Sequence, residues 1–244
     1  VKTFVSTQKL SFVRLIPANQ RKQSINQVDK NPLSSWELLK YPWFVLLESK
    51  CYGTEMHIEK EARLLGEVDI DPLRRFIESG GPALWHFECP FSALIKSDRI
   101  ILRHSRDYNF DFEDIVDWEL MPQFEPYVSP IIEKIKDSLG KSNVSAIFLA
   151  NLPPHENIYP HFDQGEFLEA PSRIHIPIKT NPNVFYRIGG FYIEEEFANK
   201  MDAHILAKEF HMEEGEIWEI DNLSYHSVRN DGDTHRWHLI VNIW

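Results

Sequence analysis

The sequence predicts a β-barrel or jelly roll braced by helices, a mainly β fold with some α structure. Helix signals dominate the first half of the chain, and from Val144 onward the hydrophobic residues form short, strand-like runs. Clusters of Pro, Gly, Asn and Asp separate these runs, which is typical of short connections between strands. A chain of 244 residues is also long enough to bury a substantial core in one large domain.

Three helices are predicted, over residues 34–40, 71–79 and 126–139. The first has serines at its start, which are good N-cap residues. In the second, we expect Asp71 to be the N-cap and Pro72 to take the first helical position. In the third, Ile131 and Ile135 recur at four-residue spacing, so this face of the helix is expected to pack on a sheet.

Five strand-like runs follow, over residues 144–152, 173–178, 184–192, 216–220 and 237–244. Turn-forming residues bound these runs. We predict that residues 1–125 form a helix-rich N-terminal part that packs on the barrel. Residues 126–244 are predicted to form the barrel core, which makes one structural unit with the first part.

The composition limits the kinds of partner. A formal net charge of −11 disfavours nucleic acid, because binding a phosphate backbone requires a concentrated positive surface. Cys51 and Cys89 are the two cysteines and have no CxxC spacing, which indicates a reducing compartment. No apolar run approaches the ~18 residues of a membrane span, and the N-terminus lacks a signal-peptide pattern. We therefore expect a cytoplasmic protein that acts on a small molecule, with neither nucleic acid nor membrane as partner.

The sequence contains a candidate metal site in His161, Asp163 and His226. Side chains two apart on a strand point to the same side, so His161 and Asp163 are able to hold one ion. His226 follows much later and is expected to complete the set from across the barrel. Two imidazoles and one carboxylate suit a non-haem Fe(II) oxygenase, because they leave open positions for a co-substrate and O2. The alternative is a surface pair and a separate core histidine, and the flanking sequence has to decide between them.

Arg236 is the first flanking residue that favours the enzyme. Residues 230–233 resemble a hairpin turn, and a turn centred on Gly232 would place His226 opposite His238. Arg236 would then lie diagonally from His226 on the same face, where its guanidinium is able to bind a carboxylate through two hydrogen bonds. A register slip of one residue would turn Arg236 outward.

Arg173 and His175 form a second cationic pair on one face of a predicted strand. Taken alone, such a pair is more typical of a solvated strand. Together with Arg236, it indicates a site for a dicarboxylate beside the metal. A 2-oxo dicarboxylic acid would chelate iron through its oxo group and adjacent carboxylate, and an arginine would hold its far carboxylate.

The stretch from about residue 127 to 244 resembles the aspartyl/asparaginyl β-hydroxylase family of Fe(II)/2-oxoglutarate dioxygenases, which includes free-proline hydroxylases. The matching segments are residues 152–161 (LPPHENIYPH), 173–175 (RIH), 215–222 (GEIWEIDN) leading to His226, 228–230 (VRN) and 236–242 (RWHLIVN). Their order and spacing agree with the family throughout. The resemblance implies a double-stranded β-helix in which iron is held by His161 and His226.

The resemblance also implies how 2-oxoglutarate is bound. Arg236 would hold its far carboxylate, and Arg173 and His175 would contact the other one. Some members carry a serine that assists this binding where the present chain has Ala150-Asn151, so Asn151 is a candidate substitute. Asp163 completes the iron ligands here, whereas vertebrate members that hydroxylate protein domains have a glycine at this place.

The predicted function is therefore hydroxylation of a free amino acid or amino-acid derivative, with Fe(II), 2-oxoglutarate and O2. One alternative is hydroxylation of Asp, Asn or Pro within a peptide or protein. A second alternative, from another class, is a cupin-like protein that binds metal without turnover. Tyr159, Arg187 and Trp218 are weak candidates for substrate contacts, since the aromatic residues also suit a core and Arg187 suits a surface.

Overall fold

The computed structural model describes residues 61–85, 87–88, 97–192, 201 and 204–244. All of these residues belong to the compact unit formed by residues 55–244. The predicted helix over residues 34–40 lies outside the described residues.

Strands dominate the described part of the chain. They are β1 (Ala62–Glu67), β2 (Phe87–Glu88), β3 (Asp98–Ser105), β4 (Ile115–Asp117), β5 (Val144–Leu152), β6 (Asn157–His161), β7 (Ser172–Lys179), β8 (Val184–Ile188), β9 (Phe191–Tyr192), β10 (His204–Ile205), β11 (Lys208–Phe210), β12 (Glu216–Ile220), β13 (His226–Asn230) and β14 (Arg236–Ile243). The main sheet has the order β1-β12-β7-β14-β5-β3-β2, with β4 paired to β3, and the smaller sheet has the order β11-β8-β13-β6. Strands β9 and β10 pair separately.

The two sheets pack face to face and enclose an apolar cluster. Ile220 and Leu152 of the main sheet contribute to this cluster, as do Tyr186, Ile188 and Val228 of the smaller sheet. Strands that alternate between two antiparallel sheets in this way form a jelly roll. The predicted double-stranded β-helix is confirmed.

Helices cover the outer face of the main sheet. They are α1 (Asp71–Gly80) and α2 (Met121–Leu139), and a short helix, α3 (Glu166–Glu169), follows β6. Ile77 of α1 and Ile131 and Ile135 of α2 are buried against Leu149 and Leu239 of the sheet. The prediction that the helices brace the barrel through an apolar face is therefore confirmed for these two helices.

The boundaries of both helices differ from the prediction. Asp71 is the first residue of α1 and not its N-cap, which is Ile70 without a side-chain hydrogen bond. Helix α2 begins at Met121 and carries Pro126 and Pro130 in its interior. The prediction started this helix at Pro126 because proline fits best in the first turn of a helix. It therefore missed the helical residues 121–125, which precede that proline.

The predicted strand over residues 184–192 is two strands. Gly189 and Gly190 interrupt it with φ values of 74° and 67°, which side chains other than glycine rarely adopt. A Cβ atom on Gly190 would also collide with the main chain of Ile205 and Ala207. The break separates β8, in the smaller sheet, from β9, which pairs with β10.

The described part of the first half contributes strands as well as helix α1. Strand β1 pairs with β12, and β3 pairs with β5. The main sheet is therefore formed by strands from both sides of residue 125. No helix among the described residues has the length and hydrophobicity needed to cross a membrane.

Candidate metal centre

His161 and His226 lie side by side on neighbouring strands. His161 is the last residue of β6, His226 is the first of β13, and the two residues are paired in the smaller sheet. Their ring centroids are 4.3 Å apart. The prediction that His226 would reach the site from across the barrel is wrong, because the pairing of β6 with β13 brings it there from the adjacent strand.

Asp163 joins the two histidines from just beyond the end of β6. Its backbone N–H donates to the carbonyl of Asn222 over 2.9 Å, which fixes the chain at this point. Phe162, between the two predicted ligands, is 38% exposed. The ligand atoms of His161, Asp163 and His226 all lie within 4.8 Å of one another. The three residues thus form a cluster that is able to hold one metal ion.

Both histidines use Nδ1 for a hydrogen bond to a backbone carbonyl, which leaves Nε2 as the atom available to a metal. His161 donates from Nδ1 to the carbonyl of Tyr159 over 2.7 Å, and His226 donates from Nδ1 to the carbonyl of Ser224 over 3.0 Å. Such hydrogen bonds fix the tautomer and the orientation of a ligating imidazole. Burial lowers the pKa of His161 and lowers that of His226 to about 3. Both rings are therefore neutral at neutral pH, the state that binds metals.

Asp163 is oriented through one of its two carboxylate oxygens. Oδ2 accepts a hydrogen bond from Asn222 Nδ2 over 3.0 Å and forms an ion pair with Arg173 Nη1 at 2.8 Å. Arg173 is itself held by Asn242 Oδ1, over 2.9 Å, and Asn222 also donates to the carbonyl of Leu168. Because both of these contacts are made by Oδ2, the other oxygen, Oδ1, is the one available to a metal.

The charges around Asp163 favour its ionised form. Burial raises the pKa of the carboxyl group, but the Arg173 guanidinium, together with the hydrogen bond from Asn222, acts in the opposite direction, and the pKa lies below its usual value. Asp163 is thus a carboxylate at neutral pH. Arg173 was predicted to contact the co-substrate. In the structure it forms an ion pair with Asp163, a candidate metal ligand.

Asn222 was not predicted as a site residue, although it ends the GEIWEIDN motif. We expect Asn222→Ala to weaken Fe(II) binding by about 10- to 100-fold, because partners that orient a metal ligand typically contribute this much. Isothermal titration of the apo protein with Fe(II) under anaerobic conditions measures the effect. Asn183→Ala, at an exposed turn, is the matched control and should leave the affinity unchanged. Equal affinities in the two variants would contradict the orienting role of Asn222.

Arg236 is buried between the two sheets with unpaired hydrogen-bond donors. Its side chain is 1% exposed, and neither Nε nor Nη2 has a partner among the described residues. Burial lowers the pKa of Arg236 to about 9, so the group remains cationic at neutral pH. The hydroxyl of Tyr186, whose pKa is raised by burial, is also without a partner in the described part of the chain. A buried cation with free donors requires an anion that the described protein does not supply.

The predicted hairpin between His226 and Arg236 is wrong. Strand β13 belongs to the smaller sheet and β14 to the main sheet, so the intervening segment crosses from one sheet to the other. The Asn230 side chain stabilises this crossing, since its Nδ2 donates to the carbonyls of Pro153 and Thr234. Arg236 still points between the sheets, because it is paired with Leu152, a member of the apolar cluster there.

His175 and His238 lie on the same inner face as Arg236. His238 follows Arg236 by two residues on β14, and His175 is paired with Ile240 on the neighbouring strand. The Nδ1 atoms of the two imidazoles are 3.4 Å apart. Burial, followed by the charge of Arg236, lowers both pKa values well below the usual value. The two histidines are therefore neutral and add polarity without charge.

Asn151 lies on the opposite face of the sheet from Arg236. Cross-strand pairing places it opposite Trp237, whereas Arg236 is paired with Leu152. Its amide donates to Asp98 over 3.2 Å, and its Oδ1 is 2.9 Å from His235 Nδ1. Because adjacent residues of a strand point to opposite faces, Asn151 is separated from the dicarboxylate site expected at Arg236.

The three candidate substrate residues have different positions. Trp218 is paired with His175 on the inner face, and its indole donates to Glu216 over 2.8 Å. Arg187 donates to the carbonyls of Met201 and His204, so its guanidinium supports the chain around β10. Tyr159 contributes its carbonyl to His161. Trp218 is thus the candidate that the described geometry places next to His175, on the inner face that also carries His238 and Arg236.

The second half of the chain matches the model of one protein family. The model of the aspartyl/asparaginyl beta-hydroxylase family matches residues 119–244, just over half of the 244-residue chain. The chain belongs to this family. The three residues of the candidate metal site, together with Arg173 and Arg236, lie within the matched residues.

Solved structures with similar folds include oxygenases. A prolyl-4-hydroxylase from Pseudomonas putida is 10% identical, with a TM-score of 0.44, over 76% of this chain and 94% of that one. AviO1 from Streptomyces viridochromogenes is 12% identical, with a TM-score of 0.46, over 75% and 89%. An oxidoreductase of the 2OG-Fe(II) oxygenase family from Burkholderia pseudomallei is 11% identical, with a TM-score of 0.44, over 60% and 67%. No curated protein matches the chain. Similarities at this level assign neither a reaction nor a substrate to the chain.

Proposed function

We propose that the protein is an Fe(II)- and 2-oxoglutarate-dependent hydroxylase of a free amino acid or amino-acid derivative. The observation that carries the proposal is the buried guanidinium of Arg236, whose Nε and Nη2 have no hydrogen-bond partner among the described residues, in the same barrel as a His-Asp-His cluster. A protein that only stores or senses metal has no need for a buried, unpaired cation. This difference favours an enzyme over a cupin-like metal-binding protein.

The donor set fits Fe(II). Two neutral imidazoles and one carboxylate form the facial arrangement that non-haem iron uses, with open positions for other ligands. His161, Asp163 and His226 would hold the ion, and Asn222 and Arg173 would keep the carboxylate oriented. When bound, Fe(II) with O2 and 2-oxoglutarate supplies the oxidation that places one oxygen atom on a substrate C–H and the other in succinate, with release of CO2.

The surroundings of Arg236 fit the far carboxylate of 2-oxoglutarate. A planar guanidinium binds a carboxylate through two parallel hydrogen bonds, and the Tyr186 hydroxyl is a further donor on the facing sheet. His175 and His238 would add polar groups beside this carboxylate. Because both rings are neutral, Arg236 would supply the positive charge. The chain thus binds and orients the co-substrate, and the two packed sheets exclude water from it.

The proposal is tested by anaerobic titration of the apo protein with Fe(II) and 2-oxoglutarate. We expect a visible metal-to-ligand charge-transfer band that appears only with both components. After admission of O2, incubation with mixed free amino acids should yield succinate and a product heavier by one oxygen atom, measured by mass spectrometry. Product formed from peptides and not from free amino acids would favour the alternative of a peptide or protein hydroxylase. Absence of the band from the folded protein would overturn the proposal.

A further inference from the structure

A second buried arginine, Arg99, faces the interior of the barrel. It lies on β3 opposite Ala150 of β5, which is in turn opposite His238 of β14. Residues paired across neighbouring strands share a face of the sheet. Arg99 therefore belongs to the same inner face as His238 and Arg236, and it is only 7% exposed.

The guanidinium of Arg99 is incompletely paired. Its Nη1 donates to the hydroxyl of Tyr108 over 2.6 Å, and its Cζ lies 4.9 Å from the centre of the Phe148 ring. Its buried Nε has no hydrogen-bond partner, and no carboxylate forms an ion pair with Arg99, within the residues that the structure describes. A tyrosine hydroxyl and an aromatic ring do not neutralise a buried cation, which is costly to leave uncompensated.

The tyrosine that holds Arg99 is itself held by a strained segment. Asp107, Tyr108 and Phe110 have φ values of 52°, 58° and 62°, which are uncommon for residues other than glycine. The ring of Tyr108 stacks on His104 with centroids 4.0 Å apart, and Ser105 Oγ accepts from the N–H of Phe110 over 2.7 Å. Such backbone strain persists where surrounding contacts impose it, and it is frequent at ligand sites.

Arg99 is close to the candidate metal centre and is surrounded by apolar groups. Helix α3 links its surroundings to that centre, because the carbonyl of Leu168 accepts a hydrogen bond from Asn222, the residue that orients Asp163. The inner face beside it carries Ile101, Phe148 and Ile240, which pack with Phe167 of α3. The described residues thus place a cation that has no carboxylate partner among them in an apolar setting, next to the helix that contacts the candidate metal centre.

Two further arginines of this inner face, Arg173 and Arg236, already have a partner or an assigned ligand. Arg173 is paired with Asp163, and Arg236 is assigned to 2-oxoglutarate in the proposed function. We propose that Arg99 binds a carboxylate of the primary substrate beside the metal, with Tyr108 as the positioning residue. The substrate is then a small molecule with a free carboxylate, such as an amino acid, and not one that lacks a carboxylate. This inference rests on the proposed function.

The test compares amino acids with their amides. Wild-type protein, Arg99→Met and Arg99→Lys are loaded anaerobically with Fe(II) and 2-oxoglutarate and titrated with each of the common L-amino acids. The primary α-amide of every amino acid that perturbs the charge-transfer band is titrated in the same way. Arg103→Met is the matched control, since Arg103 lies on the same strand but is paired with Asp117.

We expect the band itself to persist in every variant, which shows that folding, metal binding and 2-oxoglutarate binding are intact. In the wild type, an amino acid should bind roughly 100-fold more tightly than its α-amide, because losing one member of a buried charge pair has an effect of this order. Arg99→Met should weaken binding of the acid by a similar factor and barely change that of the amide. Arg99→Lys should recover part of the loss, and Arg103→Met should match the wild type.

Three results would overturn the inference: equal binding of acid and amide to the wild type, wild-type binding of the acid to Arg99→Met, or binding of no amino acid by a wild type that forms the band. In the first two cases an amino acid still binds and the band remains, so the proposed function stands. In the third case the binding of Fe(II) and 2-oxoglutarate stands, but the proposed amino-acid substrate is overturned together with this inference. Loss of the band from the wild type would instead remove the proposed function, and this inference with it.

Discussion

Arg236→Met is expected to abolish 2-oxoglutarate binding and, at the same time, to stabilise the ligand-free protein. The wild-type guanidinium is fully buried, and its Nε and Nη2 have no partner in the part of the chain that the structure describes; leaving a buried donor unsatisfied typically costs about 1–3 kcal/mol. Methionine fills a similar volume without a charge or a polar donor. The substitution should therefore raise the melting temperature of the protein measured without 2-oxoglutarate.

The binding loss should be large because a buried carboxylate would lose its counter-ion. Such losses are about 2–5 kcal/mol, so the charge-transfer band should require at least roughly 30-fold more 2-oxoglutarate, or fail to form. Calorimetric melting with and without the co-substrate, in the presence of Fe(II), measures both effects. Arg103→Met is the control, since Arg103 is paired and partly exposed. A variant that keeps wild-type affinity would show that Arg236 does not hold the co-substrate.

Local sequence patterns predicted the second half of the fold well. Strands β5 and β12 have the predicted bounds, and β7 and β14 differ from their predicted bounds by one residue at each end. These strands are apolar runs between turn residues, so their type follows from composition alone. Helix α1 was predicted because a proline opens it and glycines end it.

The strands of the first half were missed for a physical reason. Strand β3 has the sequence DRIILRHS, with Arg99 and Arg103 at sites that a half-buried strand usually gives to apolar residues. A bulge between Ile101 and Arg103 also shifts its alternation, so no simple period of two is visible. Arg99 fits this position through contacts with Tyr108 and Phe148, which only the folded chain brings together.

The candidate site was predicted in its residues more than in its geometry. His161, Asp163 and His226 were found from ligand chemistry and spacing, and they do form one cluster. The prediction that β13 pairs with β14 in a hairpin was wrong, since β13 pairs with β6 and β8. A turn sequence shows that the chain reverses but not which sheet the next strand enters. Asn222 was missed as an orienting residue, since its role depends on a contact with Asp163, 59 positions away in sequence.

Asp163→Ala is expected to have the largest effect on metal binding. It removes one of the three candidate ligands, so the affinity for Fe(II) should fall by more than about 100-fold, beyond the typical effect of an orienting partner. It also leaves Arg173, which is 11% exposed, without its counter-ion, and breaking a buried pair in this way costs about 3–5 kcal/mol. A lower melting temperature should therefore accompany the loss of metal.

The double variant Asp163→Ala/Arg173→Met separates these two effects. Removing the Arg173 guanidinium, which has lost its counter-ion, should recover much of the thermal stability, because both members of the pair are then absent. Fe(II) binding should not recover, since the missing carboxylate ligand is not replaced. Melting curves of the apo proteins and anaerobic Fe(II) titrations of the wild type and the single and double variants measure both quantities. Recovery of Fe(II) binding in the stabilised double variant would mean that Asp163 acts through folding and not as a ligand.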